Sequence, residues 1–393
     1  MTGSAPPVAR VPAFYASAFA WNLGLGMTHV LIPLYADHLG YSGLAIGSLV
    51  SLPILVQIGF NLLGGAWTDR AGGRRLAMAS AAMFGVAGVV FAFASTFAAL
   101  FFAQLCVIVS RAMFWPATWS LGSQLPGDRS TGLGRLNSTT NGGQIAGTVV
   151  AGLALAWYGY AAGFWTVALV GGAVAYALMA VFVAPAPRVA AAGHPPMLVA
   201  YRALARRPSI WFAVACAYLS ALPFSIGMSF YPLLLVGQGF SSDAAGWMLA
   251  LRAVGSVAAG VAAARFVRRV SRRAVPVATG LAVGFAVLGA AAVRDPLPIS
   301  ALLLLVGFAS GVMTLYFQIL ISDLSAVESR GSALALGGLG WGLSHLTTPL
   351  FMGAIKDAHG IEAAFYAMGA VAIAWALALA PLHAWAFRHG RPR

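Results

Sequence analysis

Long apolar runs alternate with short polar connections along the whole chain. Runs such as Leu76 to Ala98 and Ile299 to Leu320 reach the roughly 20 residues that a bilayer-crossing helix needs. Strands are not the alternative, because a transmembrane barrel shows short segments of alternating polarity. Twelve spans are predicted, starting near Ala13, Gly43, Leu76, Ala98, Asn137, Ala162, Ser209, Ala244, Ala274, Pro298, Ser332 and Ala363. The first, from about Ala13 to Ala36, is too long for the apolar region of a signal peptide and reads as an uncleaved span. Between spans 6 and 7 lies the longest polar-leaning connection, where Pro185, Pro187, Pro195 and Pro196 forbid continuous helix. The predicted architecture is an all-α membrane protein. It has an N-terminal six-helix bundle over residues 1–184, a cytoplasmic linker over 185–208 and a C-terminal six-helix bundle over 209–393.

The two parts resemble each other at an offset of about 200 residues. Gly26-Met27-Thr28 matches Gly227-Met228-Ser229, Pro33-Leu34 matches Pro232-Leu233, and Gly40-Tyr41-Ser42 matches Gly239-Phe240-Ser241. Gly47 matches Gly246, the segment Asp69 to Arg74 lines up with Arg268 to Arg273, Thr148 matches Pro349 and Gly152 matches Gly353. A constant offset marks an internal repeat, and many secondary transporters are built from such repeats with a site at the repeat interface.

Composition and charge sharpen this picture. Only 8% of the 393 residues are charged and 60% are hydrophobic, where a soluble chain needs about 25% charged residues. Most of the outer surface is therefore expected to face the lipid bilayer. A net charge of +14 would suit nucleic acid, but its placement excludes that partner. Arg70, Arg74, Arg75, Arg129, Arg135, Arg206, Arg268 and Arg272 fall with most other cations on one side, and only Arg294 and Lys356 on the other. That asymmetry predicts an integral protein of the cytoplasmic membrane with both termini in the cytoplasm. Cys106 and Cys216 lie far apart in apolar runs and read as small buried hydrophobes, so no metal or other cofactor is expected.

The segment Gly65-Ala66-Trp67-Thr68-Asp69-Arg70-Ala71-Gly72-Gly73-Arg74-Arg75 resembles the loop between helices 2 and 3 of the major facilitator superfamily. Trp67 replaces a usual Leu there, and Gly73 takes a usually basic position. The resemblance implies that superfamily's fold, with twelve helices in two pseudo-symmetric bundles. It also implies gating roles: Gly65 for close helix approach, Asp69 for pairing across the half-to-half interface, and Arg70, Gly72 and Arg74 for cytoplasmic closure. Asp69 and Arg70 are then expected to stabilise an outward-open state. Arg111 lies in span 4, where the family often carries a membrane-embedded Arg. Gly143 to Gly152 in span 5 is similar to the glycine motif of the family's exporters, with Thr148 in place of the expected Pro and Ala151 in place of a Gly. That likeness implies gating by Gly143, Gly147 and Gly152. The other reading of Gly143 and Gly147 is plain helix packing through a ridge of small residues.

Polar groups inside the membrane are the remaining chemistry. All acidic residues fall at predicted span ends or loops, so a core carboxylate for carrying protons is missing unless Asp37 lies deeper. Arg111 and Arg252 each sit about halfway along a span, where an Arg faces protein or a water-filled cavity. They point to a cationic cavity for an anionic or strongly polar small molecule, or to structural arginines bonded to backbone carbonyls and amide side chains. Within the family, transporters of nitrate and of oxalate also use an Arg in helix 8, where Arg252 lies. Polar stripes are predicted to complete a binding cavity: Asn22 with His29 on span 1, Gln104, Arg111 and Thr118 with Trp115 alongside on span 4, and Asn137, Asn141, Gln144 and Thr148 on span 5. Trp341, His345 and Thr348 share a face of span 11, and Tyr316 and Gln318 add polar groups on span 10. In lipid such stripes must turn inward, either around a ligand or into interhelical hydrogen bonds. His29 and His345 are the core groups that titrate near neutral pH and are the candidates, with Asp37, for a coupling proton.

The sequence predicts a secondary active transporter of a small organic solute, acting as a monomer, with efflux by ion- or proton-coupled antiport as the first reading. Uptake or exchange of an organic anion and movement of a lysolipid or other amphiphile are the alternatives. The rival from another class is a membrane enzyme: Gly40-Tyr41-Ser42-Gly43 looks like the Gly-x-Ser-Gly of rhomboid-type proteases. A repeated loop turn explains it better, since its repeat partner is Gly239-Phe240-Ser241 and a serine nucleophile needs a positioned base. No P-loop is present, which argues against ATP-driven pumping.

Overall fold

The computed structural model describes residues 10–60, 72–126, 128–183, 202, 204–269, 273–325 and 330–388. Among the described residues the fold is all-helical, and the helices make twelve spans. Spans 1 to 4 are Val11–His38, Gly43–Phe60, Gly73–Phe93 and Phe97–Gln124. Spans 5 and 6 arise from one stretch, Thr131–Val181, whose 51 residues are long enough to cross a membrane twice. It bends at Gly159, whose φ of 80° lies outside the helical region, and passes through a π-helical segment, Val167–Val174. Span 7 is interrupted: Pro208–Gly227 ends, and Tyr231–Gly237 resumes after three residues. Spans 8 to 12 are Ser242–Arg269, Ala274–Ala292, Pro296–Leu324, Arg330–His359 and Ile361–Ala386. The predicted starts fall close to these, except for span 5. That helix begins eight residues before the predicted start of span 5, at Arg129, because Asp128 caps it, accepting from the Thr131 amide at 2.8 Å. Hydropathy sees only the apolar part of such a helix.

The repeat is visible in hydrogen bonds. Span 1 ends where the Leu39 amide donates to the Tyr35 carbonyl, the Gly40 amide to Asp37 and the Tyr41 amide to Ala36. The Gln238, Gly239 and Phe240 amides donate to Leu234, Val236 and Leu235 in the same pattern. Gly40 and Gly239 take φ of 81° and 93°, the left-handed conformation that lets a helix terminate with its last carbonyls satisfied. Ser42 caps span 2 by accepting from the Ala45 amide at 3.2 Å. The Gly-Tyr-Ser-Gly segment is thus a helix-ending turn followed by a helix cap.

Close helix packing relies on glycine, and it too repeats. In span 5, Gly143 abuts Phe19 and Asn22 of span 1, and Gly147 abuts Leu23 and Gly26. Gly172 in span 6 meets Gly85 in span 3. The later half does the same: Gly340 in span 11 meets Val214 in span 7, and Gly369 in span 12 meets Gly284 in span 9. A methyl group on Gly147 would overlap the Leu23 carbonyl, whereas nothing lies within 4 Å of the corresponding position on Gly134. Gly147→Ala is therefore expected to destabilise the protein by about 1–3 kcal/mol, and Gly134→Ala is expected to leave it unchanged. Melting in detergent checks this, and equal melting temperatures for the two variants would count against it.

By compactness the chain divides into two units. One comprises Met1–Leu31 and Gly59–Ala190, the other Ile32–Ile58 and Ala191–Arg393. Most of the predicted connection 185–208 lies outside the described residues.

Candidate substrate-binding site

The first unit holds a polar and aromatic cluster at mid-span. Trp21 on span 1 stacks on Phe114 of span 4 with centroids 3.9 Å apart, and Trp115 meets its edge at 6.4 Å. The Trp21 indole donates to Ser110 at 3.1 Å, and Ser110 exchanges hydrogen bonds with Ser80 of span 3. Next to Trp21 in sequence, Asn22 accepts from the Gln144 amide of span 5 at 3.1 Å and donates to the Ala18 carbonyl at 2.8 Å. These bonds join the predicted stripes of spans 1 and 5. Asn141, by contrast, turns back onto Asn137 of its own helix at 2.8 Å. Arg111 is buried, and its Nε has no hydrogen-bond partner among the described residues. His29 is buried in span 1.

The second unit holds the other arginine in a more complete setting. Arg252 of span 8 is 8% exposed. Its guanidinium carbon lies 5.4 Å from the ring centroid of Phe224 on span 7, a cation–π arrangement. Gly227 permits this placement: a Cβ there would lie 3.0 Å from Arg252 Nε. Phe224 also faces Trp341 and His345 of span 11, at 5.8 and 5.4 Å. The Trp341 indole donates to Ser220 at 3.1 Å, and His345 Nδ1 lies 2.8 Å from the Trp341 carbonyl and 3.3 Å from Ser225 Oγ. Arg252 Nε has no hydrogen-bond partner among the described residues, and none of their buried polar side chains is an Asp or Glu. The guanidinium thus lacks an internal counter-charge there. Tyr231, the first residue after the break in span 7, was not singled out from the sequence. It is fully buried and stands one helical turn after Gly227, the residue against which the Arg252 guanidinium lies. The offset that pairs Pro33 with Pro232 (232 − 33 = 199) sets Tyr231 against Ile32 and Arg252 against Pro53. Polar residues facing apolar repeat partners were the available signal.

Other predicted residues sit apart from this cluster. Asp37 is at the end of span 1 rather than in the core, paired with Lys356 at 3.2 Å. Beside it, Asp357 of span 11 accepts from the first amides of span 2, Gly43 at 2.5 Å and Leu44 at 2.8 Å. Tyr316 is buried and Gln318 exposed, since residues two apart on a helix point to different sides. Gly72 takes a φ of 78° at the start of span 3. Arg74 donates to the Met179 and Ala180 carbonyls at the end of span 6, at 3.2 and 2.5 Å. Gly152 is buried in span 5. Gly65, Asp69 and Arg70 lie outside the described residues.

Comparison with known proteins bears on the family and the fold. The model of the Major Facilitator Superfamily matches residues 14–245 and 216–393. The 3-(3-hydroxy-phenyl)propionate transporter of Escherichia coli (strain K12) is 30% identical over 267 residues, covering 62% of this chain and 64% of its own length. Quinolone resistance protein NorA of Staphylococcus aureus (strain Mu50 / ATCC 700699) is 24% identical over 145 residues, 36% of this chain and 37% of its own length. The chain thus spans less than two thirds of either relative. Among solved structures, the nucleoside transporter NupG (D323A mutant) superposes with a TM-score of 0.81 at 14% identity, over 96% of this chain and 99% of that one. A bacterial homolog of the human lysosomal transporter Spinster, inward-facing and unoccupied, gives 0.78 at 16% identity, over 99% and 100%. At these identities the structures speak for the fold alone.

Proposed function

The chain belongs to the Major Facilitator Superfamily, and on that premise we propose that its cargo is a small organic anion with an aromatic or apolar body. It is a secondary transporter, an integral membrane protein and not an enzyme. The observation that carries the reading is Arg252. A buried guanidinium without a counter-charge costs several kcal/mol, and a bound carboxylate would supply the missing charge. Phe224 and Trp341 offer aromatic surface beside it. The name of the Escherichia coli relative describes such a molecule, a carboxylate carried on a phenyl ring. Within the first unit, Arg111, Asn22, Gln144 and Trp115 are proposed as substrate-contacting residues, and His29 or His345 as the carrier of any coupling proton.

Efflux is the second reading. It draws on the glycine pattern of span 5 and the partial likeness to NorA. Gly143 and Gly147 are already accounted for by packing against span 1, which leaves the anion reading better supported. The test is a thermal-shift panel on the purified protein: 3-(3-hydroxyphenyl)propionate, its neutral amide, a quinolone and a lysolipid. The carboxylate is expected to stabilise the protein and the amide not to. Equal stabilisation by acid and amide, or none by the acid, would overturn the anion reading.

A further inference from the structure

Span 7 carries a break that its repeat partner lacks. Pro33 sits inside an uninterrupted span 1, whereas the matching Pro232 follows an interruption between Gly227 and Tyr231. A broken helix inside a membrane is tolerated where it lines a cavity or is buried in protein. Here the break is flanked by two exceptional groups. Arg252 lies against Gly227 on one side, and Tyr231 opens the resumed helix on the other. The Tyr231 side chain is fully buried, with its ring 5.1 Å from Phe365. Neither its hydroxyl nor Arg252 Nε has a hydrogen-bond partner among the described residues. An unmet buried hydroxyl costs roughly 1–3 kcal/mol, so two such donors beside one helix break are a costly arrangement unless something accepts from both.

We propose that Tyr231 and Arg252 form one oxyanion subsite at the break in span 7, and that it takes a carboxylate. The inference rests on the anion reading above and adds the second donor and the headgroup. The Tyr231 O–H donates to one carboxylate oxygen and the guanidinium fork to the other, so a planar two-oxygen anion meets both. A carboxylate brings one negative charge against one positive charge. A dianionic phosphonate would leave a charge uncompensated in a low-dielectric site, at a cost that disfavours it. Gly227 contributes by having no side chain, since a methyl group would press on the guanidinium at 3.0–3.2 Å and push it from this position.

The experiment is titration of the purified full-length protein with 3-phenylpropionate, 3-phenylpropanamide and 2-phenylethylphosphonate. Melting temperature without ligand serves as the second readout. Tyr231→Phe keeps the ring against Phe365 and removes only the hydroxyl. It is expected to weaken 3-phenylpropionate binding roughly tenfold. Its unliganded melting temperature is expected to stay level or rise, because an unmet polar group has been deleted. Wild-type affinity in Tyr231→Phe together with weakened binding in Arg252→Lys would overturn the role of Tyr231 and leave the anion reading standing. Wild-type affinity in both variants, or no binding of 3-phenylpropionate by the wild type, would overturn the anion reading and this inference with it. Phosphonate binding tighter than carboxylate would overturn the headgroup assignment. Gly227→Ala tests the same geometry independently and is expected to lose 3-phenylpropionate affinity; retained affinity would sink the subsite even if Tyr231→Phe did not fold.

Discussion

Arg252→Lys is expected to lower affinity for an aromatic carboxylate by roughly tenfold to a hundredfold, and Arg252→Ala by more. The guanidinium presents its donors in a rigid planar fork, and a lysine ammonium on the same backbone keeps the charge but not that fixed geometry. Arg252 makes no ion pair among the described residues, so its removal leaves no buried partner stranded there. Removing it also relieves the cost of burying an unpaired cation. Unliganded Arg252→Ala should consequently melt no lower than the wild type. A structural arginine predicts the opposite pair of results: lost stability and unchanged affinity in the protein that remains folded. Titration of both variants, with melting as the folding control, separates the two roles.

The second large effect is expected at Asp357. Its carboxylate accepts from two amides at the start of span 2, where the helix leaves its first N–H groups without partners inside the helix. An anion there is favoured by the helix dipole as well. We propose that this contact, with the Lys356–Asp37 pair beside it, latches residues 32–58 to span 11 at the predicted outer end. Asp357→Ala removes both bonds and is expected to shift the conformational equilibrium toward opening at that end by roughly tenfold, a figure already discounted for solvent exposure. Accessibility of a cysteine placed at Leu44 to an impermeant reagent would report the shift; unchanged labelling in Asp357→Ala would rule the latch out.

Sequence alone determined the number and placement of the spans, the internal repeat and its turns. Each of these is a local property. A run of apolar residues partitions into lipid whatever its neighbours do, and Gly40 or Gly239 ends a helix because a left-handed residue is needed at that position. The tertiary structure decided which side chains meet. Nothing in the sequence joins Asp357 to Gly43, 314 residues away, or sets Asn22 against Gln144. Tyr231 stands in an apolar run beside a proline, and what sets Arg252 near it is the packing of span 8 against Gly227, one helical turn earlier on span 7. The stripe on span 5 divided for the same reason: Gln144 reached span 1, while Asn141 folded back on Asn137. In a soluble helix the polar face turns to water and the apolar periodicity reveals the buried side. A membrane helix is apolar on the lipid side and largely apolar on the protein side, so its periodicity leaves its rotation undetermined. Packing against neighbouring helices sets that rotation, and here glycines such as Gly147 and Gly340 fix how closely the helices approach.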